Sequence, residues 1–103
     1  MKNSNKFKAK IFRALSDPTR IEILEYLRDG EKCVCEIVPY LKIAQPLVSR
    51  HLAILKRNGL VMERKQGNKR LYSLSNPSVI KLIYAIDDEF MDLILKNIIE
   101  QMA

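Results

Sequence analysis

The segment spanning residues 76–101 constrains this chain more than any other stretch, because its apolar side chains occupy more than one helical stripe. At 3.6 residues per turn, Val79, Ile80, Leu82, Ile83, Ile86, Phe90, Met91, Leu93, Ile94, Leu95, Ile98 and Ile99 spread beyond the arc that one small core can cover. Asn76 and Pro77 supply a cap and a first-turn proline, so the pattern predicts one long helix over the whole segment. A chain of 103 residues has room for one compact domain and one core. Such a helix is either wrapped by its own chain or covered by a partner subunit. The partner is the expectation, because a terminal helix of so short a domain lacks surrounding chain to bury it.

Upstream, proline and glycine punctuate a run of short elements. Phe7, Ile11, Phe12 and Leu15 fall near one face of a first helix over residues 6–15. Asp17 is a natural cap and Pro18 a first-position proline for a second helix that runs to Asp29 and stops at Gly30. The periodicity from Glu36 to Leu41 predicts a third helix, with Pro39 in its first turn. A four-residue link then leads to Pro46, the opening of a fourth helix that ends at Asn58 before Gly59. Two short helices joined so tightly suggest a helix-turn-helix. Apolar and basic runs over 60–65 and 70–74 flank Gln66-Gly67-Asn68-Lys69, a turn of hairpin type. The expected architecture is mostly helical with a small β-hairpin, a single winged helix-turn-helix domain over residues 1–103 with its wing at about 60–74.

Lysine and arginine number 18 against 12 acids, a net charge of +6 that suits a polyanion, although placement of the charges has to decide. On the fourth helix, Val48, Leu52 and Leu55 share one face, while Pro46, Arg50 and Arg57 share the opposite one, flanked by Ser49. Such a helix fits the major groove of double-stranded DNA: arginine pairs with guanine, Gln45 with adenine, and Ser49 with phosphate. Taken alone, the same face also reads as an ordinary solvated surface. The hairpin adds Arg64, Lys65, Asn68, Lys69 and Arg70, placed to straddle phosphates or enter the minor groove. The rival of another class is an interaction module whose basic wing meets an acidic protein. His51 lies at the edge of the packed face and reads as a hydrogen-bonded structural imidazole. With one histidine, no nucleophile motif and no phosphate-binding glycine loop, no catalytic residues and no obligatory cofactor are expected.

Only two cysteines occur, Cys33 and Cys35. One intervening residue makes a structural disulfide a poor explanation, since so small a loop constrains little, and reduced thiols are expected. No apolar leader region follows the N-terminus and no stretch approaches the ~20 apolar residues needed to span a bilayer, so a cytoplasmic protein with no membrane partner is expected.

Four ordered motifs resemble those of the ArsR/SmtB family: Ala14-Leu15-Ser16-Asp17-Pro18-Thr19-Arg20, Cys33-Val34-Cys35-Glu36, Gln45-Pro46-Leu47-Val48-Ser49-Arg50-His51-Leu52, and Arg64-Lys65-Gln66-Gly67-Asn68-Lys69-Arg70. The resemblance covers about residues 7–95. It implies a homodimeric repressor of metal or metalloid resistance genes, dimerising through its first and last helices, with residues 76–101 as the dimerisation helix, and released from a palindromic operator by an inducer. It places Cys33 and Cys35 on the family's thiolate box at the start of the third helix. Thiolates select soft ions, and residues two apart diverge on a regular helix, so a joint site needs an extended or unwound turn. A fuller box would have a third cysteine where Val38 stands, so three thiolates from one chain are excluded. Arsenite or antimonite, held by two thiolates and an exogenous ligand, fits better than cadmium, lead or zinc, which want more donors. The other sensing pattern, acids with histidine on the last helix, has Asp87, Asp88 and Glu89 but no histidine, and these acids read as a solvated stretch. Two readings compete for the cysteines: small apolar residues with no ligand, or a redox switch that controls the same repressor.

Overall fold

The computed structural model describes residues 1–102 and shows a winged helix-turn-helix: six α-helices and one three-stranded antiparallel sheet among the described residues. Helix α1 spans Ser4–Leu15 and α2 spans Pro18–Tyr26, continued by a 3-10 turn at Leu27–Asp29. The start of α2 follows from Asp17, whose Oδ1 accepts the N–H groups of Thr19 and Arg20 at 2.8 and 3.2 Å. Strand β1, Lys32–Cys33, leads directly into α3, Val34–Leu41. Helix α4 spans Gln45–Arg57 with Pro46 in its first turn. It closes where Asn58 Nδ2 donates to the Ile54 carbonyl at 2.8 Å and Gly59 takes φ 75°, a left-handed value that glycine adopts without penalty.

Strands β2, Val61–Gln66, and β3, Lys69–Leu74, form the wing, with register from Val61↔Leu74 to Gln66↔Lys69. That register leaves a two-residue turn, Gly67-Asn68, with positive φ at Gly67 only, which is the demand of a II′ hairpin turn for glycine in first place. The sheet order is β1-β3-β2, and β1 pairs Lys32 with Tyr72 and Cys33 with Leu71. Strand β1 is the one element the sequence pattern did not announce.

The core lies where α2, α3, α4 and the wing base meet. Ile23, Leu24, Leu27, Ile37, Val48, Leu52 and Leu55 are fully buried there. Removing each such side chain from water contributes about 1.5–3 kcal/mol, so α4 is held in place chiefly by its apolar face.

Beyond small shifts at the ends of α1 and α2, two differences from expectation bear on the site. Helix α3 begins at Val34 instead of Glu36, so Pro39 falls inside it and beyond the first turn. The expected long C-terminal helix is two: α5, Ser78–Tyr84, and α6, Asp88–Met102. The break is a new cap, since Asp87 Oδ1 accepts the Phe90 N–H at 2.9 Å and Asp88 and Glu89 occupy the first turn, where the helix dipole favours acids. Helix α5 contributes Val79 and Ile80 to the core, whereas α6 buries no residue. Phe90, Leu93, Ile94, Leu95, Ile98 and Ile99 are all exposed along it. An apolar groove of about 620 Å³ lies between the start of this region and Phe12, Leu15 and Ile21 of the N-terminal helices. No helix among the described residues is long and apolar enough to cross a membrane.

Candidate nucleic-acid interface and thiol pair

Helix α4 separates its roles by face. Val48, His51, Leu52 and Leu55 are buried, while Gln45, Pro46, Arg50 and Arg57 are exposed and Ser49 is half-buried. His51 has no chemical role suggested by its setting. Its Nδ1 lies 3.3 Å from an Arg20 guanidinium nitrogen, and arginine only donates, so the ring nitrogen accepts. Arg20 also donates through Nε to the Ala14 carbonyl at 2.6 Å and through Nη2 to the Arg13 carbonyl at 3.4 Å. One guanidinium thus ties the end of α1 to the inner face of α4. Asp17 fixes the backbone of this arginine; burial opposes its ionisation, but the N–H groups of Arg20 and Thr19 outweigh that and hold its carboxyl below the ordinary value.

The wing's cations divide into two kinds. Arg64 pairs with Glu31 through Nε at 2.7 Å and Nη2 at 2.8 Å. Arg70 Nε and Lys56 Nζ converge on Glu63 at 2.6 and 2.8 Å, and the Tyr72 hydroxyl donates to the same carboxylate at 3.1 Å. Bonds from Lys56 and then Arg70 overcome partial burial and pull the Glu63 carboxyl down to about 2. Lys65 and Lys69, like Arg50 and Arg57, form no ion pair among the described residues. Lys65, Asn68 and Lys69 are exposed on and beside the wing tip. The sequence reading missed Glu31, Glu63, Lys56 and Arg20, whose partners are distant in the chain or sit on another element.

Cys33 and Cys35 straddle the junction of β1 and α3. Cys33 is the cap of α3 with extended backbone, φ −74° and ψ 150°, and Cys35 is in the helix's first turn. The expectation of reduced, separate thiols is corrected here: the two form a disulfide, with Cα atoms 5.0 Å apart. The physical reason is the junction itself, which brings residues two apart together without unwinding the helix. Cys33 is buried at 4% exposure and Cys35 is exposed. The Cys33 Sγ accepts the Cys35 N–H at 2.9 Å, and Glu36 Oε1 accepts the Cys33 N–H at 3.0 Å, completing a capping box with sulphur in the usual place of oxygen. An open cleft of about 320 Å³ joins Cys33, Cys35 and Val38 to Gln45 at the start of α4 and to Asn68, Lys69 and Arg70 of the wing. Among the described residues no group of three or more histidine, cysteine or acidic side chains is placed to hold a metal ion, and while bridged the pair presents no thiolate.

A helix-turn-helix with an exposed cationic second helix and a basic β-wing defines a winged helix-turn-helix regulator. Residues 17–63 match the bacterial regulatory proteins of the arsR family. An HTH-type transcriptional regulator of Methanocaldococcus jannaschii is 43% identical over 81 residues, covering 78% of this chain and 91% of that one. The arsenical resistance operon repressor of Staphylococcus xylosus is 39% identical over 88 residues, covering 85% of this chain and 73% of that one. Among solved structures, the homodimeric winged helix-turn-helix DNA-binding domain of a Mycobacterium bovis protein superposes with a TM-score of 0.72 at 28% identity, covering 79% of this chain and 75% of that one. This chain belongs to the arsR family.

Proposed function

We propose that this chain is a homodimeric repressor of a palindromic operator in double-stranded DNA, released when arsenite or antimonite binds at Cys33 and Cys35. The observation that carries this reading is the shared cleft, in which the sulphur pair adjoins both the start of α4 and the wing tip. Gln45, Pro46, Ser49, Arg50 and Arg57 of α4 face the major groove in this reading, and Lys65, Asn68 and Lys69 meet phosphate, with Arg64 and Arg70 beside them. Family membership favours DNA over an acidic protein as the partner of this basic surface. The unburied apolar face of α6, with the groove beside Phe12 and Leu15, supports dimerisation through the first and last helices.

Arsenite requires the dithiol. A cytoplasmic thiol reductant supplies two electrons and two protons to the bridge, and each thiol then displaces one hydroxyl of arsenite, releasing two waters and leaving two S–As bonds and one exogenous hydroxyl. Closure of that chelate at the cap of α3 alters the turn that abuts Gln45, and a coupling of about 1–3 kcal/mol would weaken operator binding by roughly 5- to 150-fold.

The observed bridge favours a second reading, in which oxidation of the dithiol is itself the signal. Fluorescence anisotropy with DNA from upstream of the gene separates the two. Under reductant and fixed salt, arsenite releases the wild type but not Cys33→Ser or Cys35→Ser if the first reading holds. Release by diamide with no response to arsenite establishes the second, and tight binding under every condition refutes both.

A further inference from the structure

Helix α1 carries four cations, Lys6, Lys8, Lys10 and Arg13, and no acid. Lys6, Lys10 and Arg13 recur at i, i+4 and i+7 and so share one stripe, where like charges repel on an isolated helix. None of the three forms an ion pair among the described residues. Complementing the helix dipole accounts for Arg13 in the last turn, but Lys6 in the first turn works against that dipole and Lys10 lies outside both end turns, so these two need another cause.

The stripe runs into a cleft of about 250 Å³ between α1 and the end of α4. Lys10 and Arg13 line one side, Arg57 and Asn58 the other, and buried Ala14 the floor. Arg20 also reaches this cleft but is engaged with the Ala14 and Arg13 carbonyls and His51, so it fixes the walls in place. Arg57 belongs to the cleft and also to the exposed face of α4, two turns beyond Arg50. Basic surface is therefore continuous from the helix that faces DNA bases onto α1, whereas Phe12 and Leu15 of α1 point to the apolar groove.

We infer that this cleft is a second phosphate-binding site, in which Lys10, Arg13 and Arg57 hold phosphodiester groups of the DNA backbone beyond the bases read by the first turns of α4. The inference rests on the DNA-binding reading and is independent of the cysteine chemistry. It makes α1 a contributor to DNA affinity, in addition to the dimer.

The test is the salt dependence of binding to a mixed-sequence duplex of about 30 base pairs, where the phosphate backbone dominates affinity. Lys10→Gln with Arg13→Gln should flatten the log–log slope by about 0.9 for each phosphate that is no longer neutralised, and leave the ratio of operator to unrelated DNA affinity unchanged. Lys81→Gln with Lys96→Gln removes the same charge from α5 and α6 and should leave the slope at the wild-type value. Sedimentation and thermal melting confirm that both double variants are folded and of wild-type assembly; should the first fail this, Lys10→Gln alone carries the test, with a flattening of about 0.9 for its one phosphate. A wild-type slope in the α1 variant, or an equal flattening in the control, overturns the site while leaving the DNA-binding reading standing. No binding of duplex DNA by the wild type overturns both.

Discussion

Arg64 holds Glu31 in a two-point ion pair, Nε to Oε2 at 2.7 Å and Nη2 to Oε1 at 2.8 Å, across 33 residues of sequence. Glu31 stands two residues ahead of Cys33, and the intervening strand pairs Lys32 with Tyr72 and Cys33 with Leu71. The chain entering the sulphur pair is therefore fastened to both strands of the wing, once by a side-chain pair and once by the sheet.

Breaking that fastening should separate stability from DNA affinity. Glu31→Gln removes an acid and releases Arg64 toward the solvent; both groups are partly exposed, so the melting temperature should move little. Duplex DNA should bind more tightly, with the salt slope steeper by about 0.9 as Arg64 neutralises one more phosphate, in anisotropy titrations across salt. An unchanged slope would show that Arg64 reaches no phosphate even when unpaired.

Glu63 carries a pH signature. Its folded carboxyl is pulled down to about 2, below the ordinary 4.5, so its contribution to stability is complete above 4.5 and is lost as pH falls toward 2. Thermal melts between these values should fall less steeply for Glu63→Gln than for the wild type. Equal slopes would mean that Lys56 and Arg70 do not hold the carboxylate in solution.

Two residues on α4 should give opposite readouts. Leu52 has no exposed surface, and Leu52→Ala should cost about 2–5 kcal/mol of unfolding free energy by urea titration. Arg50→Ala should leave the urea midpoint near wild type and cost about 1–3 kcal/mol of operator binding, with relaxed base preference. Matching behaviour of the two variants would refute the division of faces.

The two cysteines should differ once reduced. Cys35 is exposed and Cys33 is buried at 4% exposure, so iodoacetamide should alkylate Cys35 first, as followed by peptide mass spectrometry. Cys33→Ser keeps a cap acceptor and should preserve the start of α3, whereas Cys33→Ala should destabilise it. Equal labelling rates would show that the β1–α3 junction opens readily in solution.

The legible parts of this fold are those written locally. Pro46, Gly59 and the spacing of Val48, Leu52 and Leu55 announced α4, and Gly67-Asn68 announced the hairpin, because each signal acts within a few residues. The break between α5 and α6 also had a local signal in Asp87-Asp88-Glu89, but the apolar series through Ile83, Ile86 and Phe90 masked it, and those acids read as solvated when they start a helix. Strand β1 is two residues long and carries no periodicity; its existence depends on β3, some forty residues later. The same distance hid the partners of Arg64 and of His51, since an ion pair or a hydrogen bond across 31 or 33 residues leaves no trace in a local pattern. The basic residues of the wing were legible, but which of them a carboxylate already holds was not.

Helices α2 and α3 both start on a side-chain acceptor, and the two acceptors differ in what can take them away. Asp17 yields its helix only to acid, so the beginning of α2 is settled once the chain has folded. The acceptor for α3 is the sulphur of Cys33, one half of a disulfide that a thiol reductant can open, and the N–H it receives belongs to the other cysteine of the pair. The start of α2 thus rests on a charge that only acid removes, whereas the start of α3 rests on a covalent bond that electron transfer can open, so the two helices of one fold begin on anchors of different chemical kinds.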